Sequence, residues 1–261
     1  MKRYALLGEK LAHSWSKEIH QWIFNQNGIR AEYDLLECRK EELSDLITAL
    51  KKGQYDGFNV TIPYKKVIIP YLDELSPKAK TIGSVNTVYR KDGKAIGDNT
   101  DYDGFLAYVQ RKNFSFANKR CYILGSGGAS GAVFQVVSDL KGIPVIVSRN
   151  PIEQQISYEQ LATEPIDILI NTTPVGMYPN VDLSPIQKEL AERIPLVIDI
   201  IFNPLQTKLL LDAHSRQNGL WMLVEQAIKA EERWQETPIL CDKEKLYQDI
   251  LHKIKERNQE R

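Results

Sequence analysis

The stretch CYILGSGGASGA, residues 121–132, decides how the fold is interpreted. It starts as an apolar strand, passes through a glycine-rich turn, and continues into residues that can form a helix. Gly125 and Gly127 allow a tight turn and a close approach of the backbone to a pyrophosphate, whose charge the helix N-terminus attracts. This context predicts a dinucleotide site. Gly128 and Ala129 depart from the commonest glycine spacing, and a purely structural turn is the alternative.

Strands and helices alternate on the C-terminal side of this stretch. A helix over 128–141 is followed by three apolar runs, PVIVS (144–148), IDILINT (166–172) and LVIDII (196–201). Strands separated by helix-length segments are joined by right-handed crossovers, so we expect these runs to form a parallel sheet.

The N-terminal part of the chain has a similar pattern. The predicted elements are strands RYALLG (3–8), AEYDLLEC (31–38) and YDGFNVTIP (55–63), helices over 17–28 and 40–53, and a hairpin of SVNTVYR (84–90) and KAIGDN (94–99). From Gly219 onward the pattern is helical. We therefore predict an α/β fold of two domains, the first over 1–103 with the helices of 222–261 packing back on it, and the second over 104–221.

Composition and charge argue against several classes of partner. The 261 residues include 34 Lys and Arg against 34 Asp and Glu, so no net charge favours nucleic acid or an anionic membrane. No apolar run approaches the roughly 18–20 residues of a membrane span, and the N-terminus lacks a signal-peptide core. Three isolated cysteines and four scattered histidines form no metal-ligand spacing. We expect a cytoplasmic protein with no metal, no nucleic-acid partner and no membrane partner.

The residues after the second strand of the C-terminal domain bear on the choice of cofactor. In PVIVSRNP, Arg149 follows the strand between Ser148 and Asn150, and no acid occurs before Glu153. An acid at this point binds the ribose of NAD, whereas an arginine pairs with the 2′-phosphate of NADP. The pattern favours NADP over NAD, with a solvated surface arginine as the alternative.

Small polar groups and one pair of lysines recur in the N-terminal domain. They lie in HSWS (13–16), GFNVTIPYKK (57–66), GSVNT (83–87) and GDNTDYDG (97–104). Each segment also has an ordinary explanation, because serines cap helices, Asn and Thr form turns, and a lysine after proline is usually solvated. Spacing alone does not choose between Lys65 and Lys66 as a functional residue.

The chain closely resembles the shikimate dehydrogenase family in an ordered set of motifs that spans residues 8–227. The motifs are GEKLAHSWSKEIH, GFNVTIPYKK, GSVNTV, GDNTDYDG, GSGGASGA, NTTPVGM, DIIFNP and GLWMLVEQA. The resemblance implies an N-terminal α/β substrate domain, a Rossmann-like NADP-binding domain and an active-site cleft between them. It also implies the reversible NADPH-dependent reduction of 3-dehydroshikimate to shikimate, in the route to chorismate and the aromatic amino acids, by a monomer or homodimer.

The resemblance further implies roles for individual residues. Lys65 and Asp101 are implied as the catalytic pair, a protonated lysine that supplies a proton to the developing alkoxide and a carboxylate that favours its charged form. Substrate-binding residues are implied at Ser14, Ser16, Thr61, Asn86 and Gln226, with the two serines on the substrate carboxylate. Cofactor-binding residues are implied at Gly125, Ser126, Gly127, Gly128, Ala129, Ser148, Arg149, Asn150, Met177 and Gly219.

Four departures from the family pattern qualify these expectations. Lys17 replaces a proline and either loosens the serine loop or adds a cation near an anionic substrate. Phe202 replaces a tyrosine, so substrate binding is expected to be weaker by the loss of a hydrogen bond. The basic residue expected shortly after Arg149 is missing, which keeps NAD as the alternative cofactor, and the segment 213–221 is short.

Two rival functions stay open at the level of sequence. One is a quinate/shikimate dehydrogenase that uses NAD or NADP. The other is a non-catalytic metabolite sensor, against which the retention of both Lys65 and Asp101 argues, since a binding protein has no use for a proton-handling pair.

Overall fold

The computed structural model describes residues 1–259. The chain divides into two compact units. Unit 1 comprises Met1–Gly104 and Val224–Ile250, and unit 2 comprises Phe105–Leu223 and the chain from Leu251 onward.

Unit 1 is built on a mixed sheet of six strands. In chain order its elements are β1 (Lys2–Gly8), α1 (Ser16–Asn27), β2 (Ala31–Glu37), α2 (Leu43–Lys51), β3 (Gly57–Val60), α3 (Tyr64–Val67), β4 (Glu74–Leu75), α4 (Pro77–Ile82), β5 (Thr87–Lys91) and β6 (Lys94–Asp98). The strand order is β2-β1-β3-β5-β6-β4. β1 runs parallel to β2 and β3, whereas β5 runs antiparallel to β3 and β6.

This topology places several strand ends at one edge of the sheet of unit 1. Val60 at the end of β3 pairs with Leu7 near the end of β1. Thr87, the first residue of β5, pairs with Asp98, the last residue of β6. The loops that leave β1, β3 and β6 and the loop that enters β5 therefore share this edge, which we call the polar edge of unit 1.

Unit 2 contains a parallel sheet of five strands. The next elements in chain order are α5 (Thr100–Arg111), β7 (Arg120–Leu124), α6 (Gly128–Asp139), β8 (Ile143–Val147), α7 (Tyr158–Leu161), β9 (Ile168–Asn171), α8 (Lys188–Ala191), β10 (Leu196–Asp199), α9 (Lys208–Asp212), β11 (Arg216–Gln217), α10 (Leu220–Gln235) and α11 (Lys243–Gln259). The strand order is β8-β7-β9-β10-β11. The order reverses between β7 and β9, which is where open parallel sheets bind ligands beyond the strand ends.

Each face of the sheet in unit 1 is covered by helices. On one face the apolar side chains of α2, such as Leu43 and Ile47, pack against Leu7 and Phe58 of the strands. On the other face Tyr4 and Tyr33 pack against Phe24 of α1 and Trp234 of α10. Successive side chains of a strand point to opposite faces of the sheet, and helices cover both faces. The short strands of unit 1 are therefore buried on both sides.

The expected two-unit α/β fold is confirmed, and so is the hairpin, which β5 and β6 form. Asp92 and Gly93 both have positive φ, 50° and 76°, as a two-residue turn between antiparallel strands requires. The strand predicted over 55–63 is too long, because β3 ends at Val60. Pro63 has no amide hydrogen for a ladder, and the Tyr64 amide bonds the Thr61 carbonyl at 2.8 Å, which turns the chain into α3.

Several short elements were not predicted. They are the helices α3, α4, α7, α8 and α9 and the strands β4 and β11. The short segment 213–221 holds β11, which pairs in parallel with β10. Among the described residues, no helix has the length and apolar character required to cross a bilayer, and no group of three or more His, Cys, Asp or Glu residues is arranged to hold a metal ion.

Candidate active site and cofactor site

Lys65 and Asp101 form an ion pair at the polar edge of unit 1. The Lys65 Nζ lies 2.6 Å from Asp101 Oδ2, and the two side chains are only 15% and 7% exposed. Lys65 lies on α3, and its carbonyl accepts a 2.7 Å bond from the Val85 amide. Asp101 lies in the first turn of α5. A shielded ion pair of this kind fixes the direction of the lysine N–H bonds.

Asn86 connects this ion pair to its surroundings. Its Nδ2 lies 3.0 Å from Asp101 Oδ1 and 3.4 Å from Gln226 Oε1. Its Oδ1 accepts a 2.6 Å bond from the amide of Thr100. Asn86 is 2% exposed, so these contacts fix its amide group. The structure thus brings together four of the predicted residues, Lys65, Asp101, Asn86 and Gln226.

Thr100 also belongs to this cluster, although the sequence did not single it out. Its hydroxyl lies 3.0 Å from both Asn86 Nδ2 and the Thr87 hydroxyl. It is fully buried. Its place in GDNTDYDG, one residue before Asp101, was the available signal, but a threonine at a helix start is usually a cap.

Ser14, Ser16 and Thr61 reach the same edge from neighbouring strands. The loop after β1 carries Ser14, whose amide bonds the Leu11 carbonyl at 2.8 Å and whose hydroxyl accepts a 3.2 Å bond from the Ser16 amide. Thr61 follows β3, and its amide bonds the Leu7 carbonyl at 2.9 Å. All three side chains are partly exposed. In the described part of the chain, neither Ser14 nor Thr61 hydrogen-bonds to Lys65 or Asp101.

The two residues whose roles the sequence left open have different surroundings. Lys17 Nζ lies 3.9 Å from Asp34 Oδ1, with exposed fractions of 54% and 38%. An exposed pair of this kind contributes at most about 1 kcal/mol, so it holds α1 near β2 only weakly. Phe202 is half buried in the turn that follows β10.

The glycine-rich turn of unit 2 lies between β7 and α6, next to the point where the strand order reverses. Gly125 has φ of +100°, and a Cβ there would lie 3.0 Å from Thr173 Cγ2. Gly127 has an ordinary extended conformation, and a Cβ there would meet nothing within 4 Å. Gly128 is the first residue of α6, so its helix N-terminus faces this open space. Ser126 lies in the same turn, and Ala129 lies in the first turn of α6.

The end of β8 carries the three residues assigned to the adenosine end of the cofactor. Ser148 is 7% exposed, and its hydroxyl accepts a 3.3 Å bond from the Asn150 amide. Arg149 and Asn150 are exposed. Burial raises the pKa of Tyr158, and the charge of Arg149 opposes that shift. Arg149 is therefore an accessible cation at a strand end, with an aromatic side chain nearby.

Met177 and Gly219 belong to different parts of unit 2. Met177 is 41% exposed in the turn after β9. Gly219 lies against the backbone of Ile200, and a Cβ there would be 1.9 Å from the Ile200 carbonyl oxygen. This close approach gives Gly219 a packing role. Its contact with a cofactor stays a prediction.

Asp199 is a buried acid that the sequence did not identify. It is fully buried at the end of β10, where Oδ2 accepts a 2.6 Å bond from Thr207 and Oδ1 accepts 3.0 Å bonds from Asn171 and the Ile201 amide. Burial raises the pKa of this carboxyl to about 7, against the opposing effect of the three donors. In the sequence it was only the acid at the end of an apolar run.

Comparison with known proteins gives a consistent result. The family model described as shikimate dehydrogenase substrate binding domain matches residues 6–88. A shikimate dehydrogenase (NADP(+)) of Clostridium beijerinckii is 43% identical over 251 residues, which cover 90% of this chain and 93% of that protein. The crystal structure of shikimate dehydrogenase 1 from Peptoclostridium difficile is 38% identical with a TM-score of 0.91, covering 97% of this chain and 99% of that chain.

A third comparison concerns a structure with bound ligands. Shikimate 5-dehydrogenase from Thermus thermophilus, in complex with NADP(H) and shikimate, is 28% identical with a TM-score of 0.86. The alignment covers 95% of this chain and 98% of that chain. The likeness therefore extends over both units.

Proposed function

The chain belongs to the shikimate dehydrogenase family, and from this premise we propose that it catalyses the reversible NADP-dependent reduction of 3-dehydroshikimate to shikimate. The observation that carries the proposal is the Lys65–Asp101 ion pair, 2.6 Å long and shielded from solvent. A protein that only binds a metabolite has no use for such a pair, whereas reduction of a ketone requires one proton at the new hydroxyl.

We assign the substrate to the polar edge of unit 1. The polar groups there are the hydroxyls of Ser14, Ser16 and Thr61, the amides of Asn86 and Gln226, and the Lys65 ammonium. Hydroxyl and amide groups suit the hydroxyls of the ring, and the two serines at the start of α1 suit its carboxylate. The division of labour between the units is part of the same proposal: unit 2 holds the cofactor.

The residues of unit 2 fit NADP. The space beside Gly127 is open at the N-terminus of α6, where backbone amides and the helix dipole stabilise a pyrophosphate. Arg149 is exposed at the end of β8, where a guanidinium pairs with a 2′-phosphate. We also assign Ser148 and Asn150 to the adenosine end, and Met177 and Gly219 to the nicotinamide end. When bound, NADPH supplies the hydride.

The protein's own part in the chemistry is to orient the ketone and to handle the proton. Lys65 donates a hydrogen bond to the carbonyl oxygen, stabilises its developing negative charge and transfers a proton from Nζ to it. Asp101 directs the Lys65 side chain through their hydrogen bond, and Asn86 holds Asp101 from its other oxygen. In the oxidative direction a neutral Lys65 accepts the hydroxyl proton of shikimate.

A spectrophotometric assay tests the proposal directly. Formation of reduced nicotinamide is followed with shikimate or quinate as substrate and with NADP or NAD as cofactor. We expect the highest kcat/KM for shikimate with NADP. A higher kcat/KM for quinate or for NAD would assign the protein to the related quinate/shikimate dehydrogenases, and no turnover in any of the four combinations would refute an enzymatic function.

We further propose that the enzyme acts in the cytoplasm as a monomer or homodimer. Its three cysteines are free thiols, as is typical of proteins in a reducing compartment. Size-exclusion chromatography with light scattering measures the oligomeric state.

A further inference from the structure

Asp98 is a buried carboxylate at the polar edge of unit 1. It is the last residue of β6 and is 1% exposed. Its Oδ1 accepts a 2.6 Å bond from the Ser76 hydroxyl and a 2.8 Å bond from the Asn99 amide. Burial raises the pKa of this carboxyl, but the charge of Lys78, these two hydrogen bonds and the charge of Arg233 together hold it below its ordinary value. Asp98 is therefore a charged group inside the protein.

The second oxygen of Asp98 faces a cation from a distant part of the chain. Asp98 Oδ2 lies 2.7 Å from Nε of Arg233, which belongs to the last turn of α10 and is half exposed. The other nearby cation is Lys78, whose Nζ lies 3.7 Å from Oδ1. An ion pair with one partner buried is screened less by solvent than a pair on the surface. Asp98 thus ties α10 to the end of β6.

The two oxygens of Asp98 hold different elements of the proposed active site. Through Oδ1 it holds the Asn99 amide, at the turn that leads into α5 and to Asp101. Through Oδ2 it holds α10, which carries Gln226. Gln226 Oε1 in turn lies 3.4 Å from Asn86 Nδ2. Loss of the contact at Oδ2 should therefore affect α10 and leave the start of α5 in place.

Gln226 and Arg233 lie on nearly the same side of α10. Seven residues correspond to about 1.9 turns of helix, or roughly 10 Å along its axis. Side chains of a helix point back toward its N-terminus, so the Arg233 side chain extends in the direction of Gln226. Trp234, the next residue, donates a 3.1 Å bond from Nε1 to the Val88 carbonyl of β5. Because consecutive side chains project about 100° apart, the contacts of Arg233 and Trp234 together fix the rotation of α10 about its axis.

We propose that Arg233 is a positioning residue that, through its ion pair with Asp98, sets the place of the Gln226 carboxamide for the substrate. This inference rests on the proposed function, in which Gln226 binds a hydroxyl of the substrate ring. Arg233 touches neither substrate nor cofactor in this scheme. Without its charge, α10 stays attached to the sheet through Trp234, but its rotation and the place of Gln226 are less well fixed.

The test begins with Arg233→Met, which keeps an unbranched apolar side chain and removes the charge. KM for shikimate should rise about 3–10-fold, as expected when one hydrogen bond is weakened. The kcat value should change less than about threefold, because Asp101 is held through the other oxygen of Asp98, and KM for NADP should not change. Lys229→Met is the matched control, because Lys229 also lies on α10 and its 2.6 Å ion pair is with Glu232 of the same helix. Its KM for shikimate should stay within about twofold of the wild type.

A double-mutant cycle with Gln226→Ala separates positioning from a general structural effect. If Arg233 acts through Gln226, Arg233→Met should raise KM less than about twofold further in the Gln226→Ala background. Arg233→Lys keeps a cation for Asp98 without the planar guanidinium, so its KM should lie between those of the wild type and Arg233→Met. An equal rise in both backgrounds, an unchanged KM in Arg233→Met, or equal KM values for the lysine and methionine variants overturns the proposal.

The melting temperature of each variant establishes whether it is folded. In Arg233→Met the buried carboxylate of Asp98 keeps Lys78 as a cationic neighbour, so we expect a folded protein. Should this variant fail to fold, Arg233→Gln removes the charge but keeps a donor for Asp98 and replaces it in the cycle, with the same outcomes. A wild-type KM in Gln226→Ala would overturn this inference and leave the proposed reaction standing. A wild-type enzyme with no shikimate turnover would instead refute the proposed function itself.

Discussion

Lys65 and Lys66 are adjacent in the chain but have different environments. Lys65 bonds Asp101 at 2.6 Å and is largely shielded, whereas Lys66 is exposed. Both lie on α3, where consecutive side chains project about 100° apart around the helix axis. One turn of helix therefore suffices to direct the first lysine to the polar edge and the second one elsewhere.

Replacing Lys65 should reduce catalysis far more than binding. In Lys65→Ala the group that exchanges the proton with the substrate oxygen is lost, and general acid–base catalysis is worth about 10²–10⁴-fold in kcat. We expect kcat for shikimate oxidation to fall by that amount while KM changes less than about tenfold. Steady-state kinetics with Lys66→Ala as the matched control measures the difference, and the control should keep kcat within about twofold. An unchanged kcat in Lys65→Ala would contradict the catalytic role proposed for Lys65.

Two glycines of the glycine-rich turn should respond differently to a methyl group. At Gly127 the backbone is compatible with any residue and the added methyl meets no protein atom, so Gly127→Ala should fold normally. The methyl would, however, occupy the space proposed for the pyrophosphate. We expect an unchanged melting temperature and a KM for NADP that rises about tenfold or more, since close backbone approach is lost.

Gly125→Ala is the companion variant. Its positive φ of +100° and the contact with Thr173 make alanine strained there, so the melting temperature should fall as well as the activity. Equal effects of the two substitutions on melting temperature would contradict the geometric distinction. A wild-type KM for NADP in Gly127→Ala would show that the glycine-rich turn is not part of the cofactor site.

Arg149 should determine the preference for NADP over NAD. Arg149→Gln removes the cation proposed to bind the 2′-phosphate, and a charge-assisted bond is worth about 1.5–3 kcal/mol, or about 10–100-fold. KM for NADP should rise by that factor while KM for NAD stays nearly constant. Arg193→Gln is the control, because Arg193 is another exposed arginine of unit 2 outside the proposed site. An equal rise of KM for NADP and KM for NAD would mean that Arg149 contributes only to folding or to adenine binding.

Sequence periodicity was sufficient for the elements that position both sites. The apolar runs that became β7, β8, β9 and β10, and the glycines after β7, follow from local pattern because a parallel strand is buried on both faces. The hairpin turn at Asp92 and Gly93 follows from local backbone preference. The named motifs also contained all the residues of the Lys65–Asp101 cluster.

Pairings between distant residues were beyond local pattern. In the sequence, Tyr33 is one aromatic residue of a predicted strand. Its hydrogen bond to Asn59 and its stacking on His20 arise only in the folded chain. The helix α3 is four residues long and β11 two, too short to show a period. Asp199 looks like any acid at a strand end until the sheet and its helices bury it completely.

The burial of Asp199 should make the stability of the protein depend on pH in an unusual direction. Its pKa is raised to about 7 in the folded protein, against an ordinary value of about 4 in the unfolded chain. Between these values the folded protein binds one more proton, so the free energy of unfolding falls as pH rises from about 4 to about 7. The contribution of the bound proton to the free energy of unfolding is complete below the unfolded-state pKa and is lost above the folded-state pKa. Its size is on the order of 4 kcal/mol.

Asp199→Asn should abolish this pH dependence. An asparagine keeps an oxygen for Asn171 and the Ile201 amide, and its NH₂ group can donate to the Thr207 hydroxyl. We expect the wild-type melting temperature to fall by several degrees more than that of the variant between about pH 5 and pH 7.5, because the variant has no proton to lose. Asp182→Asn removes an exposed charge from the same unit and should keep the wild-type slope. Identical slopes in all three proteins would show that Asp199 is ionised throughout this range, with its three donors outweighing its burial.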